Sequence, residues 1–561
     1  MRKNQVGQSI VGLLAAVPFI VGGAALPAQA QSIGGGTATG GDATAVGTGA
    51  KAAGDFSFAA GQGATASKGF ATAIGQNSAA TATNTTALGQ GSVASAAFAS
   101  ALGQNAKATG ANTTASGQNS SAAGQFGSAF GQGANALGDF SSAFGQGSAA
   151  KGQFATALGQ NSAASGLSAT ATGQNAVASG TFSAAYGAGA IASGAFSTAL
   201  GEGAKATNAD TTAVGQGAQA TGRAATATGV GATASGTGAT ATGTGSKATA
   251  QDTTATGSGA AATAAAATAT GANALASARQ STANGAGAKA TASNSTAVGA
   301  GAAAAAADAS AFGEGAQATA QDATATGMGA VASGVGATAT GMGALASGAG
   351  ATATGMGSQA TAADSTAAGA GAKATAASAT ATGAKSVASA ARATAHGAGS
   401  KATATRSTAI GAGATASGAQ STALGDGSLA SGANSVALGA GSIASAANTV
   451  SVGAPGAERR ITNVADGIDM HDAVNLGQLK TMSAKAYGGI AATAALMNNA
   501  PYLPGKFTVN VGAAGYHGQA GFGGNVSYWM PNGKVNFNAG IAMSTGSHDP
   551  VYRAGLSFVF N

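Results

Sequence analysis

A glycine recurs every fourteen residues from Gly47 to Gly453, thirty times, with no insertion or deletion. A chain that keeps count this way has one architecture open to it: a solenoid in which each coil repeats the last. Two residues after each of these glycines stands another Gly or an Asn, as in Gly49, Gly63, Asn77 and Gly91; only Lys385 and Pro455 break that column. Gly and Asn tolerate positive φ, so the column marks a tight turn in every coil. The Gly-x-Gly pairs therefore turn the backbone. No helical pattern follows them to complete a phosphate-binding loop.

Small residues alternate around the turn. Ala precedes the register glycine by two (Ala45, Ala59, Ala437), and Ala or Ser followed by Ala stand three and five after it (Ala64 and Ala66, Ser428 and Ala430). Period-two smallness predicts two very short strands per coil, and the Thr or Ser three before the glycine suits a parallel ladder. Which column faces inward is left open by the pattern. Helix is excluded: paired glycines would cost roughly 2 kcal/mol per repeat, and no 3.6-residue apolar stripe offsets them. At about 4.8 Å per coil the register predicts a rod of roughly 140 Å. With 96 Gly, 7% charged and 4% aromatic residues, coils this thin bury little apolar area, which predicts several copies side by side.

The N-terminus differs. MRKNQ, the apolar stretch from Ile10 to Leu26 and Ala28-Gln29-Ala30 have the order of a secretory signal with its cleavage site, so residues 1–30 read as a signal peptide. The formal charge of +7 is spread without a basic run, which argues against nucleic-acid binding, and the absence of Cys excludes a disulfide framework or a thiolate metal site. His396, His471, His517 and His548 lie in separate segments without metal-ligand spacing, and no Ser/His/Asp set stands out, so neither catalysis nor a cofactor is expected. Thr-Ala-Thr precedes the register glycine repeatedly, for example at 226–228 and 338–340. Such ladders resemble ice-binding surfaces, or serve as a purely structural filament; the plainer reading is Thr filling half-buried ladder positions.

Beyond Gly453 the pattern changes. A helix is expected from Asp472, with Val474, Leu479, Met482, Ala486 and Ile490 on an apolar seam, dwindling to GGIAATAA. From Lys506 four runs of about ten residues alternate. Phe507, Val509 and Val511 share one face of the first, with Asn510 opposite, and the other three follow suit with turns at 515–518, 531–533 and 546–550. One greasy face, one polar face and aromatics near the ends are the marks of outer-membrane strands. Four strands cannot close, so the chain must pool them with copies of itself.

On these residues the chain resembles the YadA-type trimeric autotransporter adhesins over essentially its whole length. The head motif is clearest in Asn434-Ser435-Val436-Ala437-Leu438-Gly439. The neck resemblance runs from Glu458-Arg459 through Asp472-Ala473-Val474-Asn475 to Gln478-Leu479, and the anchor's from Gly489-Ile490-Ala491 to the last strand. The resemblance implies a mainly β fold: a trimeric left-handed parallel β-roll head with 14-residue repeats, a short neck and coiled-coil stalk, and a C-terminal 12-stranded transmembrane β-barrel formed by three chains. Its domain map is signal peptide 1–30, head 31–452, neck 453–479, stalk 480–504 and anchor 505–561. It implies a cell-surface homotrimer in the outer membrane of a Gram-negative bacterium, seated in lipid by the outer-membrane assembly machinery. Its ligand would be an extracellular-matrix, host-cell or abiotic surface, with self-aggregation a further role and Asn434 to Gly439 the matrix-binding motif. The chain departs from the family in its very short stalk, in Thr where Val and Ile are usual, and in Asn561 after the terminal aromatic.

Overall fold

The computed structural model describes residues 29–497 and 501–560, so the expected signal peptide (but for its last two residues) and Asn561 lie outside it. The chain divides into two compact units, one ending at Pro455 and one starting at Gly456.

The first unit is the solenoid. Each coil contributes a three-residue strand, such as Thr240–Thr242, and a two-residue strand, such as Lys247–Ala248. Three-residue strands pair only with those of neighbouring coils, in parallel and in register, Ala241 with Ala227 and Ala255. The two-residue strands form a second ladder in the same way. Backbone bonds of about 2.8 Å join coil to coil, as from Thr240 N to the Thr253 carbonyl.

Four small residues per coil point inward and form the whole interior. In one coil these are Ala239, Ala241, Ser246 and Ala248, all fully buried. Two ladders this close leave room for nothing larger, which is why the columns two before and three and five after the register glycine are Ala or Ser. Most buried hydroxyls bond locally, as Ser246 Oγ donates to the Gly243 carbonyl at 2.9 Å and Thr253 Oγ1 to that of Ala250 at 2.7 Å, while those of Ser57, Ser78 and Ser141 find no partner. The outward columns are the Thr or Ser three before the glycine and the variable residue just before it.

Each coil has two turns. The first is the expected one: Gly257 has φ 130° and Gly259 φ 67°. The second falls five residues before the register glycine, again at positive φ, and is held by Asp252, Asn84 or Gly238, but also by Phe126 and Phe140 at φ 57° and 58°. The sequence pattern does not reveal this turn, because no glycine column marks it.

In the second unit a helix spans Leu476–Ala495 and four antiparallel strands follow, Phe507–Tyr516, Gln519–Trp529, Val535–Ser544 and Val551–Phe558. They pair in chain order, leaving the first and last each with an open edge. The expected apolar seam is not the face the helix buries within its own chain. Leu479, Met482 and Ile490 are exposed, and Gly488, Ala491, Ala492 and Ala495 meet the sheet instead. Small residues win there because the sheet offers a glycine bed. A Cβ on Gly521 would strike the Ala491 carbonyl, and one on Gly512 would crowd the Ala495 carbonyl oxygen at 2.5 Å.

Candidate adhesive surface and membrane anchor

The anchor sheet has two unlike faces. Phe507, Val509, Val511, Phe522, Ile541 and Leu556 project away from the helix, and Val511 is 88% exposed. The helix side carries Asn525, Ser527 and Asn536, all buried. A globular domain buries its greasy face; here it is the polar one that is covered, which suits a sheet whose outside meets hydrocarbon and whose inside surrounds a helix. The open edges of Phe507–Tyr516 and Val551–Phe558 cannot be left in lipid, where an unpaired backbone group has no water to bond and costs on the order of several kcal/mol.

The start of the helix explains the neck residues. Asn475 caps it: its Oδ1 accepts from Gln478 N at 2.9 Å, while Gln478 Oε1 accepts from Asn475 N at 3.3 Å. The same two side chains tie down the preceding loop. Asn475 Nδ2 donates to the Val464 carbonyl at 3.0 Å and to Asp466 at 2.7 Å, and Gln478 Oε1 accepts from Gly467 N at 2.9 Å. Asp472 folds the loop between them by accepting from Ile468 N and Asp469 N at 2.9 and 3.0 Å. Those amides, Asp469 first, hold its carboxyl below the ordinary aspartate range.

On the head, the structure separates the six residues of the expected matrix-binding motif. Asn434 is at the second turn with φ 55°, exposed, its Nδ2 bonded to Asn448 Oδ1 at 2.9 Å. Val436 and Leu438 face outward, Leu438 44% exposed. Ser435 and Ala437 are fully buried in the coil, Ser435 Oγ donating to the Gly432 carbonyl at 2.7 Å, and Gly439 is the turn. Only Asn434, Val436 and Leu438 can offer side chains to a ligand.

Two features of the N-terminal coils emerge only in the structure. Nine glutamines from Gln62 to Gln174 stack on the Gly-x-Gly edge in an amide ladder, with Nε2 to Oε1 distances of 2.7–3.2 Å. On the opposite edge phenylalanines stack, Phe126 on Phe140 and Phe140 on Phe154 with centroids 4.9 and 5.2 Å apart. The fourteen-residue spacing of both sets was the available signal.

A parallel β-solenoid joined in one chain to a short helix and an edge-open, inside-out sheet defines a surface fibre with an outer-membrane anchor. Comparison with known families agrees in every part. The YadA head domain repeat matches in overlapping stretches covering 38–218, 220–246, 276–302, 304–351, 402–428 and 430–454, more than half the chain. The coiled stalk of trimeric autotransporter adhesins matches 460–502, and the YadA-like membrane anchor domain 499–560. The chain belongs to the YadA-like trimeric autotransporter adhesin family, and is a cell-surface protein anchored in the outer membrane.

Among curated relatives it is 32% identical over 102 residues to the trimeric autotransporter adhesin AtaA of Acinetobacter sp. (strain Tol 5), an alignment covering 18% of this chain and 3% of that protein. Among solved structures it is 27% identical to the collagen-binding domain of the Yersinia adhesin YadA, with a TM-score of 0.20 over 35% of this chain and 85% of that one.

Proposed function

We propose that the protein is a homotrimeric adhesin, secreted through and held by a twelve-stranded barrel to which each copy gives four strands. The observation carrying this reading is the anchor sheet, greasy outside with two open edges, in the same chain as the family's head repeats. Three helices share the lumen, and Leu479, Met482 and Ile490, exposed on one copy, meet their counterparts there. The residues read as signal peptide start export, and the outer-membrane assembly machinery seats the barrel in lipid. The head attaches the cell to extracellular matrix, host cells or abiotic surfaces; its role is mechanical rather than enzymatic. The Yersinia relative's head domain is described as collagen-binding. For this chain Asn434, Val436 and Leu438 are the motif residues able to touch a matrix ligand.

The test is display of the full-length protein on a non-adherent Gram-negative host, with attachment scored on collagen, other matrix proteins, host cells and plastic. Attachment that disappears when residues 42–452 are deleted, with the anchor still at the surface, supports the reading. No attachment to any member of the panel counts against it.

A further inference from the structure

Eight phenylalanines, from Phe56 to Phe196, occupy the second turn at φ between 55° and 60°. That conformation costs a side chain of this size about 1–2 kcal/mol. Elsewhere the same position holds residues that adopt it easily, such as Asn84, Asp252 and Gly238. Burial in the coil does not offset the strain, because all eight residues are between 45% and 61% exposed. Stacking between coils reaches seven of them, leaving Phe98 without a ring neighbour in the column. At about 200 Å² per aromatic side chain they leave roughly 800 Å² in contact with solvent. That is about what one partner gives to a stable protein interface, spread along a column that Asn84, Asn112 and Ser168 interrupt.

A second column follows the first. The residue just before the register glycine is large and apolar in seven of the eight Phe coils, as in Ile74, Leu102, Phe144 and Leu200. Where the second turn changes to Asn112 or Ser168, that residue becomes Ser116 or Thr172, and in the coils of Ala224 to Ala266 it is Thr throughout. Leu88 and Val214, in the coils of Asn84 and Asp210, depart from the rule. Past residue 284 large apolar residues stand there without a second-turn Phe, as at Val298, Phe312, Ile410, Leu424 and Leu438; the pairing of the two columns belongs to the coils from 56 to 284. The two positions are four extended residues apart, about 13 Å, and the second-turn rings stack on rings of adjacent coils, as Phe56 does on Phe70. They respond to a common third body.

Charge says where it lies. The outer face of the three-residue ladder carries no Lys, Arg, Asp or Glu in any coil, whereas the outer column of the two-residue ladder carries seven lysines from Lys51 to Lys401, of which Lys107 falls among the coils from 56 to 200 beside Val93, Val177 and Ile191. The lysine face is the wet one.

We propose that the third body is the neighbouring copy in the trimer: the Phe edge of each copy seats on the next copy's column before the register glycine, between Ile74 and Leu200. Another copy repeats at the same interval, so ring meets side chain in step along the whole segment, while a partner of any other period drifts out of register. The coils from 56 to 200 form an apolar aromatic seam, and those from 224 to 284 meet through Thr, Gly and Ala. This rests on the homotrimer of the proposed function, but not on what the head binds.

The test uses the full-length protein in the outer membrane, with benzoylphenylalanine in place of Phe140. On illumination, the expected adduct joins two copies of this chain and maps to the partner copy's residues 130–158. Mixing cells grown on light and heavy isotopes should yield no light–heavy adducts. Light–heavy adducts, adducts to an added matrix protein, or the absence of a chain–chain adduct each overturn the seam. The mass of the detergent-extracted assembly, measured on the same preparation, separates a failed seam from a failed trimer. Replacing all eight residues by Asn, which suits the turn at Asn84 and Asn112, should leave display unchanged. It should also speed cleavage of coils 56–200 by a nonspecific protease about tenfold relative to coils 224–396; an unchanged ratio overturns the proposal.

Discussion

Arg553, in the last anchor strand, donates from Nη1 to the carbonyl oxygen of Leu496, 3.0 Å away, at the C-terminal end of the helix. A helix leaves its last carbonyls unsatisfied and its C-terminus partly negative, so a guanidinium there serves as hydrogen-bond donor and counter-charge together. The contact ties the end of the helix to the strand that closes the sheet on one side. Replacing Arg553 by Met keeps the stem and removes the donor, at an expected cost of about 1 kcal/mol per copy. Heat dissociation of the trimer on denaturing gels should move down by several degrees, with Arg553→Lys in between.

The helix also depends on glycines in the sheet. Gly521→Ala drives a methyl into the backbone of Ala491 and Ala492, which cannot give way without lifting the helix. Overpacking of this kind costs about 1–3 kcal/mol per site, and it recurs in every copy. Gly489, on the same helix, has nothing of its own chain within 4 Å of the place a methyl would take, so within one copy Gly489→Ala should be neutral or favourable by up to about 1 kcal/mol of helix propensity. Surface display by antibody binding to intact cells should fall sharply for the first variant and hold for the second.

These two cases show how far the sequence could be read. The strands of the anchor, their turns and their greasy face were legible because period-two alternation is strict from Phe507 to Phe558. The helix was legible as a helix, but its buried side was not. A seam of Leu479, Met482 and Ile490 is what hydrophobicity selects, whereas fit selects Gly488, Ala491, Ala492 and Ala495, since contact with Gly512 and Gly521 is decided by atoms those residues lack. In the head, the Gly-x-Gly turn announced itself by composition. The second turn did not, because Phe126, Arg392, Ala224 and Asp252 all occupy it; a position fixed by backbone geometry and filled by many side chains leaves little trace in one sequence. The same applies to the expected matrix motif, where contiguous letters conceal that Ser435 and Ala437 point inward.

The two glycine positions of the repeat are not equivalent, as Gly257 and, one coil earlier, Gly245 show. At Gly257 φ is 130°, a region closed to residues with a Cβ, and a methyl there would crowd the Gly271 carbonyl at 2.5 Å. Gly245 has φ 65° with nothing within 4 Å of the place a methyl would take, and Asn fills the equivalent position at Asn273. Gly257→Ala should therefore open the ladder locally at a cost of about 2 kcal/mol or more, while Gly245→Asn should cost a few tenths, on the order of the Gly-to-Asn difference in such turns. Hydrogen exchange of the amides of Thr254 to Thr256 reports the difference: faster exchange in the first variant, little change in the second.

Asp472 gives the neck a pH dependence whose sign is fixed by geometry. Its carboxylate accepts from Asp469 N and Ile468 N, and both bonds favour the charged form, so its pKa is lower in the folded neck than in an unfolded chain. A lowered native pKa means stabilisation that is fully present above the unfolded value of about 3.9. It declines as pH falls below that value and is gone once pH has passed the native pKa. Asp472→Asn should remove this dependence and reproduce the low-pH behaviour at neutral pH. The amide protons of Ile468 and Asp469 should exchange faster in wild type below about pH 4 than the intrinsic pH trend predicts, while in Asp472→Asn their protection should be low and flat across the range. Equal protection of the two proteins at neutral pH would show that these bonds do not hold the loop, and that Asn475 and Gln478 suffice.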